Sequence, residues 1–490
     1  MATESGVITF DNTYRRLPAR FYAAMDAQAV AEPELIALNE ELLAELGGKA
    51  ADFRSPEGLA VLAGNAVAEG SEPLAQAYAG HQFGGFSPQL GDGRALLLGE
   101  VVDQSGQRRD IQLKGSGPTP FSRRGDGRSA LGPVLREYLV SEAMHRLGVP
   151  TTRALAAVAT GENVWRQEEE PGGIFTRVAA SHLRVGTFQY FAARGDEEAL
   201  QVLTDYATAR HFPEVAEAEL PVLAFFEQVV ARQADLIAHW MSLGFIHGVM
   251  NTDNCSISGE TIDYGPCAFM DDYHPAKVFS SIDQNGRYAY RSQPQMAHWN
   301  LTRLVEALLP LIDPDQEKAV ALAEKALETF APRYGAGLRR RFCQKIGLPA
   351  ATENGWQLAQ DLLELMARDA ADFTRVFRQL SAAVDDPEAE KLRAEFKDQG
   401  ALGDWLARWR EEIGAEREAA GHRLCDVNPI YIPRNHRIEE VIQAAYAGDF
   451  TPFHRLHEVL DQPFTERTEF GAYEKAPRPE EIVHATFCGT

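Results

Sequence analysis

The sequence predicts an α+β fold in which a β-rich first half precedes a mainly helical second half. Short β-like runs bounded by glycine-rich turns dominate the chain up to about residue 190. From about Glu197 onward, apolar residues recur at helical spacing, and a long helix is expected over 218–243. Loops and short strands interrupt these helices over 244–292. A block of strands followed by a block of helices is typical of α+β proteins.

An N-terminal helical extension is expected over residues 1–60. Its main helix is predicted to start after Pro33 and to end at Gly47, because glycine commonly follows the last turn of a helix. Between these two residues the leucines recur at helical spacing, at Leu35, Leu38, Leu42 and Leu46.

The β-rich region is predicted to begin with an antiparallel pair. Two β-like runs, 95–98 and 110–114, are separated by a turn at residues 105–107. Lys114 is therefore expected at the end of the second strand.

A helix from Gly132 to Gly148 is predicted next, with Glu137 in its first turns. Further β-like runs at 154–158 and 174–179 flank an acidic, glycine-rich stretch over 168–173. That stretch is interpreted as a solvated hairpin tip, because charge runs next to Pro-Gly usually mark turns.

The charge balance argues against two classes of partner. The chain has 48 Lys and Arg against 71 Asp and Glu, a formal net charge of -23. Because this excess of acid repels phosphate backbones and anionic lipid heads, neither nucleic acid nor a membrane surface is expected. No apolar run approaches the roughly 18 residues of a membrane span. The first thirty residues show no signal-peptide pattern, so a cytoplasmic protein is expected.

The cysteines are few and widely scattered, which favours neither a disulfide framework nor a zinc site. There are five of them, Cys255, Cys267, Cys343, Cys425 and Cys488.

A first candidate for phosphate binding is the turn Gly91-Asp-Gly93-Arg94. Glycines allow backbone N–H groups to approach a phosphate closely, and Arg94 adds a permanent cation. A tight loop without a ligand is the alternative, and a GxG turn alone does not decide between them.

A second candidate combines Lys114 on its strand with Glu137 on the following helix. A carboxylate in this position can fix an ammonium group so that its charge faces a nucleotide phosphate. The alternative is a surface lysine and a solvated glutamate. Asp126 and Gly127, in the glycine- and arginine-rich loop between them, are further ligand candidates, although an Asp-Gly turn explains them equally well.

Arg177 and Arg184 form a third candidate, because both lie in otherwise apolar surroundings. Two arginines near a phosphate site suggest clamps for developing negative charge. Exposed strand arginines or a salt bridge are the alternative.

The most specific signal is the segment His247-Gly-Val-Met-Asn-Thr-Asp-Asn254, followed by Asp263-Tyr-Gly265. A carboxylate beside a carboxamide, with a second carboxylate after a short β-like run, supplies oxygen ligands for magnesium and one acid–base group. His247 itself is expected to bond neighbouring backbone in a structural role.

The same segment departs from the protein-kinase pattern at one position. Kinase-like enzymes use His-x-Asp-x-x-x-x-Asn and Asp-Phe-Gly, and here His247 and Asn254 keep the offset. Val249, however, stands where the kinase base is expected. The nearest carboxylate able to act as base is Asp253, so the active centre has been rearranged or activity has been lost.

These motifs resemble the selenoprotein O family, whose members are kinase-like and are called pseudokinases by motif. The resemblance runs through most of the chain and rests on the segments 78–84, 89–94, 112–117, 119–128, 247–254 and 263–266. It implies a protein-kinase-like two-lobed fold, with a β-rich N lobe over 61–190 and a helical C lobe over 191–490.

The resemblance also implies protein adenylylation: AMP passes from a flipped ATP to a Ser, Thr or Tyr hydroxyl of a protein, and pyrophosphate leaves. Asp253 is then the base, and Asn254 and Asp263 hold magnesium, which manganese could replace. The implied nucleotide site, with Lys114 held by Glu137, comprises Gly91, Gly93, Arg94, Lys114, Asp126, Gly127, Arg177, Arg184 and Asp263. Self-modification stays open.

By the same resemblance, Cys488 pairs with Cys267 and forms a redox latch on the catalytic loop, with two unpaired thiols as the alternative. Two other functions also stay open. An ATP-dependent phosphotransferase is disfavoured by Val249. A nucleotide-binding scaffold without activity is disfavoured because Asp253, Asn254 and Asp263 are all present.

Overall fold

An eight-stranded antiparallel sheet occupies the first part of the chain in this computed structural model, which describes residues 8–487. In chain order the strands are β1 (Tyr22–Ala24), β2 (Glu34–Leu38), β3 (Leu74–Gln76), β4 (Gly80–Gln82), β5 (Gly85–Ser87), β6 (Ala95–Val102), β7 (Arg108–Lys114), β8 (Ser129–Ala130), β9 (Arg153–Trp165), β10 (Glu169–Ala179), β11 (Phe245–Ile246) and β12 (Ala268–Phe269). The sheet order is β1-β3-β6-β7-β10-β9-β2, with β8 beside β10. Two small two-stranded sheets, the hairpin β4–β5 and the pair β11–β12, are separate from it.

The helices follow mostly after the sheet. They are α1 (Glu40–Glu45), α2 (Ala50–Phe53), α3 (Pro56–Leu62), α4 (Leu131–Arg146), α5 (Val185–Ala192), α6 (Glu197–His211), α7 (Pro221–Leu243), α8 (Gln293–Ile312), α9 (Gln316–Leu327), α10 (Phe330–Lys345), α11 (Glu353–Asp369), α12 (Phe373–Ala383), α13 (Glu390–Arg393), α14 (Gln399–Ile413), α15 (Arg417–Val427), α16 (Asn435–Tyr446) and α17 (Thr451–Leu460). The predicted sequence of a sheet region and a helical region is therefore confirmed.

The predicted antiparallel pair is present as β6 and β7, with Ala95 opposite Lys114 in the register. Lys114 is the last residue of β7, as expected. The predicted hairpin tip is shorter than 168–173, because β10 already begins at Glu169 and pairs with Trp165.

The helix predicted to start after Pro33 is wrong over its first part. Residues 34–38 form β2, which pairs antiparallel with β9 at the edge of the sheet. Ile36 and Leu38 are buried while their neighbours are less so, the alternation that suits a strand. Helix α1 begins only after Asn39, whose side chain accepts from the backbone N–H of Leu42 as an N-cap.

Both faces of the sheet are covered. Helix α4 packs on one face, in a core shared with the helical region. Helices α1 to α3 cover the other face with leucines such as Leu43 and Leu62. Since β1 and β2 also belong to the sheet, this part of the chain is not separate from it, and the division of the chain at residues 60 and 190 stays a prediction.

The loop that carries the strongest sequence signal, residues 247–265, lies between α7 and β12 in the chain. Helix α7 confirms the long predicted helix and ends at Gly244, whose φ of 70° is the left-handed conformation typical of a helix C-terminus. Phe245 then pairs with Phe269 across the β11–β12 hairpin, which brackets the intervening loop. Within the described residues, no helix combines the length and the apolar character needed to cross a bilayer.

Candidate active site

A cavity of about 760 Å³ lies where β6, β7 and β10 meet α4 and the loop after α7. The structure brings all of the sequence-predicted site residues other than the two cysteines to its wall. These are Gly91, Gly93, Arg94, Lys114, Asp126, Gly127, Glu137, Arg177, Arg184, Asp253, Asn254 and Asp263.

Asp263 is the centre of a cluster of three cations. Its Oδ1 accepts from Lys114 Nζ at 3.0 Å and from Arg177 Nη1 at 2.7 Å, and its Oδ2 accepts from Arg184 Nη1 at 2.7 Å. Burial alone would raise the pKa of Asp263, but the three positive charges outweigh it and hold that pKa well below its ordinary value. The backbone φ of 65° at Asp263 is a left-handed conformation that non-glycine residues adopt at a cost.

The predicted contact between Lys114 and Glu137 is present. Lys114 Nζ donates to Glu137 Oε2 at 2.5 Å, and the other oxygen of Glu137 accepts from Arg177 at 3.2 Å. Arg177 also donates to Gln112 Oε1 at 2.7 Å, which fixes its guanidinium along the sheet. The ammonium and the two guanidinium groups are thus held in place by acidic and amide partners before any ligand binds.

Gly91 and Gly127 at the cavity wall are required because the glycine turn packs closely against the loop over 117–128 and that loop packs closely against itself. An added Cβ at Gly91 would lie 2.4 Å from the ring of Phe121, and one at Gly127 would lie 2.1 Å from the backbone of Gly117. Both residues have positive φ, 74° and 67°. The glycine turn and the loop over 117–128 therefore form one wall, on which a side chain at either position has no space.

Asp126 forms the Asp-Gly turn that was predicted as the alternative to a ligand-binding role. Its carboxylate accepts from the backbone N–H of Arg128 at 2.9 Å, as in an Asp-Gly turn, and pairs with Arg166 at 2.9 Å. It lines the cavity, with an arginine already bound to it.

Asp253 lies in a short 3-10 turn over Thr252–Asn254 and is 7% exposed. Its Oδ2 accepts from Gln82 Nε2 at 2.9 Å, while its Oδ1 has no hydrogen-bond partner in the described part of the chain. Burial raises the pKa of Asp253 to about 6, and the hydrogen bond from Gln82 opposes that rise. The neighbouring Asn254 donates its amide N–H to the carbonyl of Val249 at 3.0 Å, so its amide oxygen is the atom left to contact a ligand.

His247 has the structural role that was expected. Its Nε2 lies 2.8 Å from the carbonyl oxygen of Ile262, and its ring stacks on Trp240 at 5.3 Å between centroids. Fully buried, it ties the loop after α7 to the strand-like residues before Asp263.

Sequence reasoning from single motifs missed the hairpin β4–β5 as part of the site. Gln82 and Phe83 line the cavity, and Tyr78 lies just before the hairpin, with the Arg184 guanidinium 4.7 Å from its ring centroid. An aromatic and amide-bearing stretch among glycines was visible in the sequence. Nothing in its spacing, however, indicates contact with a loop about 170 residues later.

The candidate donors for a metal ion are one carboxylate and one carboxamide. Within residues 8–487, no three His, Cys, Asp or Glu side chains come together as a metal site. Asn254 and Asp263 offer hard oxygen atoms of the type that Mg²⁺ prefers, and phosphate oxygens of a nucleotide would complete such a shell.

The end of the chain reaches the same loop. Thr486 Oγ1 donates to the carbonyl oxygen of Pro266 at 2.6 Å, and Thr486 N donates to Phe279 O at 2.7 Å. Cys267, next to Pro266, is buried. Cys488 lies outside the described residues.

Cations gathered around a cavity, next to a buried carboxylate and a carboxamide, recur in the class of enzymes that transfer a phosphorus-containing group from a nucleotide. A family described as "Protein adenylyltransferase SelO" matches residues 6–461. The protein nucleotidyltransferase YdiU of Rhizobium leguminosarum is 57% identical over 98% of this chain and 97% of its own length. That of Bradyrhizobium diazoefficiens is 57% identical over 98% and 99%, and that of Nitrobacter hamburgensis is 57% identical over 99% and 97%.

The chain therefore belongs to the SelO family of protein adenylyltransferases. This confirms the family that the motifs predicted and, with it, the prediction of a nucleotidyltransferase that uses ATP.

Proposed function

We propose that this chain transfers AMP from ATP to a Ser, Thr or Tyr hydroxyl of a protein, with Asp253 as the base. The observation that carries the proposal is the carboxylate of Asp253, which is buried at the wall of the cavity and keeps one oxygen without a partner. A buried acceptor of this kind costs free energy unless a donor arrives, and an acceptor hydroxyl is such a donor.

The catalytic step follows from these positions. Asp253 takes the proton of the hydroxyl, the hydroxyl oxygen forms a bond to the α-phosphorus, and pyrophosphate leaves with the electrons of the broken P–O bond. Lys114, Arg177 and Arg184 offset the negative charge that develops on the leaving pyrophosphate. A nucleotide bound in the flipped orientation would present its α-phosphate to Asp253 and its outer phosphates to this cation cluster.

Asn254 and Asp263 would hold the metal ion, magnesium or manganese, through their side-chain oxygens. When bound, the ion would neutralise phosphate charge and orient the triphosphate. Because Asp263 already contacts three cations, the same carboxylate would set the distance between the metal and the basic side chains.

The proposed architecture is a kinase-like pair of lobes with the site in the cleft between them. The sheet region supplies Lys114 and Arg177, and the helical region supplies the loop with Asp253. This distribution supports two lobes that close on one nucleotide. Val249 lines the same cavity, but its side chain has no acid–base group, so no base acts from the position that carries one in kinases.

A redox latch between Cys267 and Cys488 is part of the proposal. The contact of Thr486 with Pro266 supports it. Thr486 stands two residues before Cys488, and Pro266 directly precedes Cys267. Titration of free thiols with and without a reductant tests it: two additional thiols after reduction, absent in Cys488→Ser, are expected.

The deciding experiment uses ATP labelled in parallel on the α- or the γ-phosphate, with purified protein, magnesium and a protein acceptor. Adenylylation predicts α-label on the acceptor and its loss in the isosteric Asp253→Asn variant. Retention of γ-label would instead establish a kinase, and ATP binding without either label would establish a scaffold. The same reaction without acceptor reports self-modification.

A further inference from the structure

The hairpin β4–β5 is joined to the catalytic loop by consecutive hydrogen bonds. Three successive hairpin residues contact the three successive loop residues over 251–253. The contacts are His81 N to Thr252 Oγ1 at 2.7 Å, Gln82 Nε2 to Asp253 Oδ2 at 2.9 Å, and Phe83 N to Asn251 Oδ1 at 3.1 Å. The hairpin therefore makes one hydrogen bond to the side chain of each of these three loop residues and fixes all three.

Side chains from elsewhere in the chain hold this junction in place. Gln189 on α5 accepts from Thr252 Oγ1 at 2.6 Å and contacts His81 Nδ1 at 2.9 Å. Tyr288 donates to Asn251 Oδ1 at 2.6 Å and packs against the ring of Phe83. With its neighbours fixed in this way, Gln82 has a defined direction from which to donate.

The two oxygens of Asp253 have different surroundings. Oδ2 receives the amide of Gln82, whereas Oδ1 lies beside Gly80, where an added Cβ would be 2.5 Å away. Gly80 has an ordinary negative φ, so its backbone would accept a side chain. A side chain at position 80 would therefore displace the oxygen that has no partner, so glycine is what allows the carboxylate to take this orientation.

We infer that Gln82 is a positioning residue for adenylyl transfer: its amide holds Oδ2 of Asp253 while Gly80 packs closely against Oδ1, so that the carboxylate faces the acceptor hydroxyl in one orientation. This inference rests on the proposed function, in which Asp253 is the base. The proton moves from the hydroxyl to the carboxylate of Asp253, the hydroxyl oxygen bonds to the α-phosphorus, and pyrophosphate departs with the electrons of the broken P–O bond. Gln82 neither gains nor loses a proton.

The test is a steady-state comparison of Gln82→Met, which keeps the shape of the side chain but removes the donor, with wild type. A misplaced base should lower kcat by a factor on the order of 100, because small errors in the placement of reacting groups are costly. The KM for ATP and the thermal midpoint should stay at their wild-type values. A residue that only stabilises the hairpin would instead lower the thermal midpoint and raise KM.

Two further variants sharpen the result. Gly80→Ala places a methyl group against Oδ1 and is expected to reproduce the loss in kcat while Gln82 is intact. Phe86→Leu, on the same hairpin but outside the cavity wall, is the matched control and should keep the wild-type kcat. Gln82→Glu should be at least as slow as Gln82→Met, since a carboxylate cannot donate and repels Asp253.

The inference is overturned if Gln82→Met and Gly80→Ala both keep kcat within twofold of wild type, or if Phe86→Leu loses as much as they do. Failure of the proposed function is a separate result: Asp253→Asn would then transfer AMP at the wild-type rate. An inactive Asp253→Asn together with a fully active Gln82→Met overturns only the role of Gln82.

Discussion

The guanidinium of Arg184 donates to the backbone carbonyl of Asp253 at 2.6 Å. The same nitrogen contacts the carboxylate of Asp263, and the group as a whole stacks on Tyr78. One side chain therefore fixes the distance between the proposed base and the proposed metal ligand, in addition to supplying charge.

Arg184→Lys should lose this link, because an ammonium at the end of a flexible chain cannot reproduce a planar, stacked guanidinium. We expect kcat/KM for AMP transfer to fall about 100-fold, in the range found when one preorganised donor is removed. Arg194→Lys, which alters an arginine near the end of α5 outside the cavity, is the control. Equal activity of the two variants would show that charge alone is needed at position 184.

Asp263→Asn is expected to abolish transfer and yet tighten the binding of ATP without metal. The carboxylate now neutralises Lys114, Arg177 and Arg184, so its loss frees three cations for the triphosphate. Calorimetric titration with ATP in EDTA measures this directly. Weaker metal-free binding in the variant would mean that Asp263 holds the cations in place more than it competes for them.

Gly127→Ala tests the wall formed by the two loops. Its Cβ would meet the backbone of Gly117 at 2.1 Å, and its φ of 67° disfavours a side chain. We expect ATP affinity to fall at least tenfold with a small change in thermal midpoint, because the loops lie at the surface of the site. Gly335→Ala on α10, outside the cavity wall and with open space for a Cβ, is the control and should bind ATP as wild type does, as nucleotide titration will check.

We expect the free energy of unfolding to change with pH because of one buried lysine, Lys345. Lys345 is buried, donates to Asn428 Oδ1 at 2.8 Å and lies over the ring of Phe377. Burial lowers the pKa of Lys345 from 10.5 to about 7. The charged form is thus disfavoured in the folded state, and the resulting destabilisation is complete below pH 7 and disappears as the pH rises towards 10.5.

A shift of this size corresponds to on the order of 3–5 kcal/mol. Lys345→Met removes the titration, so its free energy of unfolding relative to wild type should decrease steadily between pH 7 and pH 10. Urea denaturation of both proteins across this range measures the difference. A difference that is constant with pH would place the lysine in a hydrated environment.

Sequence patterns predicted the elements whose structure depends on interactions between residues close together in the chain. The β6–β7 pair, α4 and α7 follow from alternation, helical spacing and glycine stops, all of which act within one element. The strand at Leu35 could not be predicted in this way, because its leucines fit a helix as well as a strand. The free edge of β9, contributed by residues more than 100 positions later, decides between them.

The candidate site divides in a similar manner. Lys114 and Glu137 were paired from the sequence, since a strand end followed by a helix brings such residues together. The contact of Gln82 with Asp253 spans 171 positions and depends on how two loops meet, which no spacing records. Likewise the ion pair of Asp126 with Arg166 was not predictable, because it joins a loop to a hairpin turn.

The bond between Thr486 and Pro266 spans 220 positions of the chain. During synthesis the N-terminal residues leave the ribosome first, so the sheet and the loop after α7 emerge well before this partner. The loop that follows Asp263 therefore receives this hydrogen bond only after residue 486 has been synthesised and has left the ribosome. A nascent chain that already exposes every proposed catalytic residue therefore still lacks this contact at that loop.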